Sequence, residues 1–180
     1  MKTMLLTSVL ALSLFFGYAQ NTRRDSLKHE LAISRPDTNR VMALVQLINS
    51  YKFDIPDSAF FYGQQALALA RQIKFPKGEA EALNFLAVTY NTMGNFSNAL
   101  ELDFKSLQIA DKNNLIKEKA GVLTHLGALY LQSQNYSKGL IYLHQALNLS
   151  NLNEVSGNTF LTLITLAQAF LEMNKLDSAE

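Results

Sequence analysis

The chain has 180 residues, 48% of them hydrophobic, and its 16 Lys and Arg against 15 Asp and Glu give a formal net charge of +1. That apolar content can bury a core and argues against disorder, while the balanced charge and the lack of a basic run exclude the electrostatic footprint of a nucleic-acid binder. Cysteine is absent, which removes disulfides, zinc-thiolate sites, a cysteine nucleophile and a lipoprotein anchor together.

The first residues read as a targeting segment. Lys2 supplies a positive end, Met4 to Phe16 is an apolar run broken only by small hydroxyl residues, and Gly17-Tyr18-Ala19 offers small side chains before a cut. The run is shorter than the roughly 18 to 20 residues that span a bilayer, so residues 1–19 are expected to be a signal peptide cleaved near Ala19 rather than an anchor. The mature chain is then periplasmic or secreted. No later stretch is apolar and long enough to cross a membrane, so no membrane contact is expected of the mature segment, and an anchor would lie beyond residue 180.

Residues 20–36 are expected to form a linker and a short capping helix. Leu27, Leu31 and Ala32 stand at helical spacing before a break at Arg35-Pro36, and the Arg23-Arg24 pair reads as a solvated tether.

Beyond residue 37 the chain repeats itself. Segments starting at Ala80, Ala120 and Phe160 share one pattern at a period of 40 residues. The first gives Leu83, Leu86, Ala87, Tyr90, Phe96, Ala99 and Leu107, and the second Leu123, Leu126, Gly127, Tyr130, Tyr136, Gly139 and Leu147. The third gives Leu163, Leu166, Ala167, Phe170, Leu176 and Ala179, and an earlier copy holds Leu44, Leu47, Ile48, Tyr51, Ala59 and Leu67. The units run over about 40–79, 80–119, 120–159 and an incomplete 160–180.

Apolar spacings of three and four within each unit predict amphipathic helices, and strand alternation is missing. Each first helix should end at a turn: Asp54-Ile55-Pro56, Met93-Gly94-Asn95, Gln134-Asn135 and Asn174-Lys175. A second helix is expected behind Asp57, Ser97, Ser137 or Asp177 as capping residue, with Asp177 and Glu180 spaced as a capping box. The small residues Ala87, Gly127 and Ala167, and Ala59, Ala99, Gly139 and Ala179, mark a close helix crossing, and the nearby aromatics should fill the gap around it. The sequence ends as a further second helix begins, leaving Leu163, Leu166 and Phe170 partly uncovered, which reads as a fragment of a longer array.

This pattern resembles the tetratricopeptide repeat (TPR), whose helical pairs carry a small residue in the first helix, an aromatic three positions on and a small residue opening the second. The resemblance covers about Asp37 to Glu180. It implies an all-α fold, an α-α superhelix or solenoid of TPR helical hairpins. Two features depart from the family: Leu44, Leu83, Leu123 and Leu163 stand where tryptophan is usual, and the period exceeds about 34 residues, which suggests lengthened second helices such as one from Asn98 to about Lys112. More narrowly, residues 37–70 look like the exported repeat regions that precede a membrane helix and a histidine kinase or DNA-binding output domain in bacterial signalling proteins.

Stacked helical pairs form a curved array with an extended concave surface. The resemblance implies that this face is lined by first-helix positions, here Gln46, Asn49, Lys52, Asn84, Asn91, Thr124, His125, Gln132, Thr165 and Gln168. It would bind a protein or peptide through amides that both donate and accept. With Lys52 nearly alone among cations there, a strongly acidic tail is a poor fit.

Catalytic, cofactor and metal sites are not expected. His29, His125 and His144 fall in separate helices without ligand spacing, and Glu101 and Asp103, two apart on a helix, cannot face one another and read as a solvated edge. A hydrolase using scattered carboxylates would need a converging pair, and a phosphate loop would need a strand. Asn95-Phe96-Ser97, Asn135-Tyr136-Ser137 and Asn148-Leu149-Ser150 match the glycosylation acceptor but read as structural. The main reading is an exported scaffold that docks a protein or peptide, and the alternative is the sensory region of a membrane-bound signalling protein.

Overall fold

A computed structural model describes residues 21–152 and 156–177, which form helices and no strand. The expected targeting segment, residues 1–19, lies outside the described residues, as do Ala179 and Glu180. In chain order the elements are α1 (21–33), α2 (Thr38–Tyr51), α3 (Pro56–Gln72), α4 (Pro76–Thr92), α5 (Phe96–Lys112), α6 (Ile116–Gln132), α7 (Tyr136–Leu152) and α8 (Ser156–Asp177).

The 40-residue period has a simple origin. Helices α4, α5, α6 and α7 each span 17 residues, and three-residue turns at 93–95, 113–115 and 133–135 separate them. The added length is therefore shared by both helices of a pair, not placed in the second alone. The turns at 73–75, 93–95, 113–115 and 133–135 close in the same way. Residues Lys74, Gly94, Asn114 and Gln134 adopt positive φ of 56°, 74°, 53° and 60°, and the next amide reaches back to the last helical turn: Phe75 N–H to Ala70 O, Asn95 to Tyr90, Leu115 to Ala110 and Asn135 to Tyr130. This left-handed closure satisfies carbonyls that the helix end leaves open.

Helix starts differ from the expected caps. Asn95 and Asn135 accept through their side chains from the amides of Asn98 and Lys138, each at 3.2 Å, so Ser97 and Ser137 fall inside the first turn. Pro56 and Pro76 open α3 and α4 at a position where the missing N–H costs nothing, and Asp57 lies in the first turn of α3. Ending on Asn174-Lys175 was also not realised: α8 runs unbroken to Asp177. Neither residue forbids helix, no glycine follows them, and Asp177 is then a last helical residue rather than a cap.

The small residues do mark the crossings. Ala59, Ala87 and Ala99 are fully buried, and a Cβ on Gly127 would stand 2.6 Å from Leu143 Cγ. Ala167 is exposed on α8, with Leu163 and Phe170 about half exposed while Leu166 is buried. Tyr51 and Tyr130 pack on a ring of the second helix of their own pair, Tyr62 at 5.8 Å and Tyr142 at 5.5 Å between centroids, while Tyr90 packs on Phe60 of the preceding pair at 4.7 Å. Phe96, expected to fill the crossing from the turn, is instead exposed.

The first helices touch one another in series, α2 on α4, α4 on α6 and α6 on α8, whereas α3, α5 and α7 make no contact among themselves. An inner layer packed edge to edge and an outer layer held apart produce curvature with the first helices on the concave side. Leu44, Leu47, Ile48, Leu83 and Leu126 anchor the layers almost without exposure, each side chain contributing about 1.5–3 kcal/mol of burial.

Helix α1 caps the open edge of α2. Leu31 is buried and Leu27 partly so against Val41 and its neighbours, while Ala32 faces outward. Arg24 is no solvated tether. It is 5% exposed, its Nη2 donates to both Asp54 carboxylate oxygens at 2.7 and 2.8 Å and to Ser50 O, and its guanidinium lies 4.1 Å from the Tyr51 ring centre. The long side chain carries its charge across α2 to the following turn, where a carboxylate and a ring face receive it.

Candidate functional site: the inner face

Four first helices leave a hollow of about 420 Å³ on the concave side, between α2, α4, α6 and α8. Seven of the residues expected on this face line it: Lys52, Asn84, Asn91, Thr124, His125, Gln132 and Thr165. Gln46 lines a neighbouring hollow and accepts from Arg23 Nη2 at 2.9 Å. Asn49 faces Lys52, accepting from its Nζ at 2.5 Å. Gln168 is exposed on α8 and lines neither hollow.

Between the polar groups stand Phe53, Phe85, Val88, Ala128 and Leu161. Sequence reasoning missed these apolar walls because the apolar stripe was assigned wholly to the core. A second apolar spacing one residue behind Asn84, through Phe85 and Val88, was the available signal.

Lys52 is held between rings, its Nζ 4.9 Å from the Phe53 centroid and 4.6 Å from that of Phe85. Burial lowers its ammonium to about 8, because no carboxylate among the described residues lies within ion-pair distance to offset the lost hydration.

The largest correction concerns Asp103. It is not at a solvated edge but has a side-chain exposure of 0%, on the face of α5 turned inward between α4 and α6. Asn84 Nδ2 donates to its Oδ1 at 2.9 Å and His125 Nδ1 stands 2.6 Å from its Oδ2. Burial pushes the Asp103 carboxyl above its ordinary range, while the bonds from His125 and Asn84 pull it back. Glu101, two residues earlier, points the other way and pairs with Lys105 at 2.5 Å, as spacing on one helix requires. Thus Asn84 and His125 are braced from behind by a second-helix carboxylate. Thr124 is likewise committed: its hydroxyl donates to Ala120 O at 2.9 Å and lies 2.7 Å from Thr162 Oγ1 on α8.

Two buried polar atoms on residues lining the hollow have no hydrogen-bond partner, Asn91 Oδ1 and His125 Nε2. The adjoining hollow is bordered by Lys77, Glu81, Lys117 and Glu118. There burial, then the hydrogen bond and charge of Glu118, push Glu81 up to about 7 against the opposing effect of Lys77 and Lys117. Among the described residues no group of three or more His, Cys, Asp and Glu could hold a metal ion, and no helix is long and apolar enough to cross a membrane.

A paired-helix array with a concave inner layer is the architecture expected from the repeat pattern, and the family model described as the SusR N-terminal TPR domain matches residues 16–180. The chain belongs to this TPR family. Tetratricopeptide repeat protein 29 of Trypanosoma brucei brucei (strain 927/4 GUTat10.1) is 24% identical over 115 residues, 64% of this chain. The chain spans 24% of that protein's length. Among solved structures, the apo form of RapI superposes with a TM-score of 0.66 at 20% identity, over 84% of this chain and 56% of that one. BtubC (BKLC) from P. vanneervenii gives 0.57 at 16% identity, over 90% and 74%. These likenesses establish the helical-repeat fold. TPR arrays serve generally as protein-interaction scaffolds and are typically not enzymes.

Proposed function

We propose that this chain is an exported interaction module whose inner face holds a peptide segment of a partner protein. One observation carries the reading: a single hollow joins polar residues of four successive first helices to an apolar wall formed by Phe85, Val88, Ala128 and Leu161. A ligand site of this type combines apolar area with a few polar groups that fix orientation. A partner segment laid along it would cross the repeats and engage each in turn.

The test is selection of displayed peptides on the immobilised chain, followed by affinity measurement on Val88→Trp, which fills the hollow while leaving Asp103, Asn84 and His125 unsubstituted. Peptides that bind the parent and lose binding to the variant, with an unchanged circular dichroism spectrum, support the assignment. Peptides that bind both equally would place the interaction elsewhere and defeat it.

A second reading is favoured by the family's description as the N-terminal domain of SusR. In this reading the chain is the sensory region of a larger membrane-bound signalling protein, with a histidine kinase or DNA-binding output beyond residue 180. Sequencing the reading frame past Glu180, with protease accessibility in intact cells, decides it. A membrane helix and output domain support it, and a stop codon directly after a closing helix rejects it. Protease sensitivity only after lysis with a permeabilised inner membrane would also refute export.

A further inference from the structure

The bracing of His125 by Asp103 sets which kind of hydrogen-bonding group the hollow presents. Asp103 Oδ1 is occupied by the Asn84 amide, an obligatory donor. While Asp103 is ionised its Oδ2 can only accept, and the 2.6 Å contact then takes its proton from His125 Nδ1. A neutral imidazole with Nδ1–H leaves a bare lone pair on Nε2, and that atom is buried without a partner. Asn91 Oδ1, on the neighbouring helix, is a second buried acceptor without a partner. A buried acceptor left open has lost its water without replacement, so both atoms favour a ligand that brings hydrogen-bond donors.

Charge narrows the donor. Ammonium and guanidinium groups would enter the same hollow as the Lys52 ammonium, which no carboxylate offsets. The charged groups that face His125 in this hollow are Asp103 behind it on α5 and Lys52 at the C-terminal cap of α2, while α8 contributes only Leu161 and Thr165 to the lining. Neutral N–H groups therefore fit, and the Phe85, Val88 and Leu161 walls ask for apolar side chains beside them. Resting on the peptide-docking reading above, we infer that the hollow reads backbone N–H groups of a neutral, apolar peptide segment through two acceptors, His125 Nε2 and Asn91 Oδ1, with Asp103 as the positioning residue that keeps His125 an acceptor.

The experiment uses the full chain labelled with nitrogen-15 and the doubly capped peptide acetyl-Leu-Leu-N-methylamide, beside an analogue whose leucine nitrogens carry methyl groups. Titrations run at about pH 7, where the Lys52 ammonium stays mostly charged. The free protein should show His125 as the Nδ1–H tautomer. The capped peptide should shift the His125 and Asn91 side-chain signals saturably, and backbone methylation should weaken it about tenfold, as expected for the loss of buried hydrogen bonds. Asn91→Leu, which removes the open acceptor and breaks no internal bond of that side chain, should weaken it similarly without lowering the melting temperature. Asp103→Asn should let the proton move to Nε2, visible in the imidazole nitrogen shifts, and remove the preference for the N–H peptide.

Observation of an Nε2–H tautomer in the parent would overturn the inference, as would equal affinity of the methylated analogue. Glucose shifting these signals while the peptide does not would also overturn it, in favour of a hydroxylated ligand. If both peptides perturb the inner face equally and Val88→Trp abolishes both, the docking reading stands and only the donor inference falls. If no peptide perturbs the inner face, both fall.

Discussion

Gly127 and Gly139 face each other where α6 crosses α7: a Cβ on Gly127 would lie 3.2 Å from the Gly139 carbonyl oxygen, and one on Gly139 3.1 Å from that of Gly127. The two backbones are near contact, and Leu143, which a Gly127 Cβ would meet at 2.6 Å, is fully buried. Alanine gains about 1 kcal/mol over glycine inside a helix, but overpacking costs about 1–3 kcal/mol. Gly127→Ala is expected to lower stability by about 1 kcal/mol, read as a lower urea midpoint. A midpoint at or above the parent's would show that Leu143 can repack.

The left-handed turn positions offer the opposite change. Gln134 occupies φ of 60° with a side chain that disfavours it, so Gln134→Gly should raise stability by about 0.5–1 kcal/mol after the added unfolded-state freedom is counted. Gly94→Ala should lower it by about 1 kcal/mol, although its Cβ would meet nothing within 4 Å. Thermal melts of the pair separate backbone strain from steric crowding, and shifts of the same sign would contradict the explanation.

Arg24→Ala should free α1 while sparing the array. The substitution removes the bonds to Asp54 and Ser50 and the contact with Tyr51, and Asp54, being half exposed, recovers water. Amide exchange in residues 21–33 should accelerate well beyond that in α4 and α6, since local opening needs less than global unfolding. Uniform acceleration along the chain would mean that α1 folds cooperatively with the rest.

Lys52→Met should stabilise the chain near neutral pH. The folded state holds the Lys52 proton less tightly than the unfolded state, about 8 against 10.5, so the unfolded chain binds more protons in that window and the parent's stability rises with pH through it. The advantage of Lys52→Met should shrink between pH 8 and 10.5. A constant difference across that range in urea titrations would disprove the desolvation account.

Glu81 carries the reverse sign. Its folded value, about 7, lies above the ordinary 4.5, so the folded state holds the proton more tightly and its contribution is present below 4.5 and lost as pH rises through 7. Glu81→Gln should remove this fall and raise stability above pH 7. An unchanged pH profile would mean that neither burial nor Glu118 holds a proton on Glu81.

Much of the fold was legible because repetition is local information. Leucines three and four apart, small residues at fixed positions and turn residues every half period each report on one helix or one crossing, and recurrence at 40 residues ties them into an array. The resemblance to the TPR, laid over the same register, implied the polar inner-face positions, so Asn84, Asn91, Thr124 and His125 could be named before their surroundings were known. Asn174-Lys175 misled because turn composition permits an end without compelling one, and α8 continues through it.

The sequence by itself determined the helical hairpins and their period, since periodicity and side-chain size act over a few residues, while the inward face of the first helices was implied by the resemblance to the TPR. Only the tertiary structure decided what the polar residues do. Asp103 and His125 are 22 residues apart and Arg24 and Asp54 30, and nothing in either local pattern says that a carboxylate of an outer helix will pass between two inner ones or that an arginine will lie on a ring of the next helix. Burial and partner choice are properties of packed helices, where desolvation makes each charge take the nearest group that can answer it.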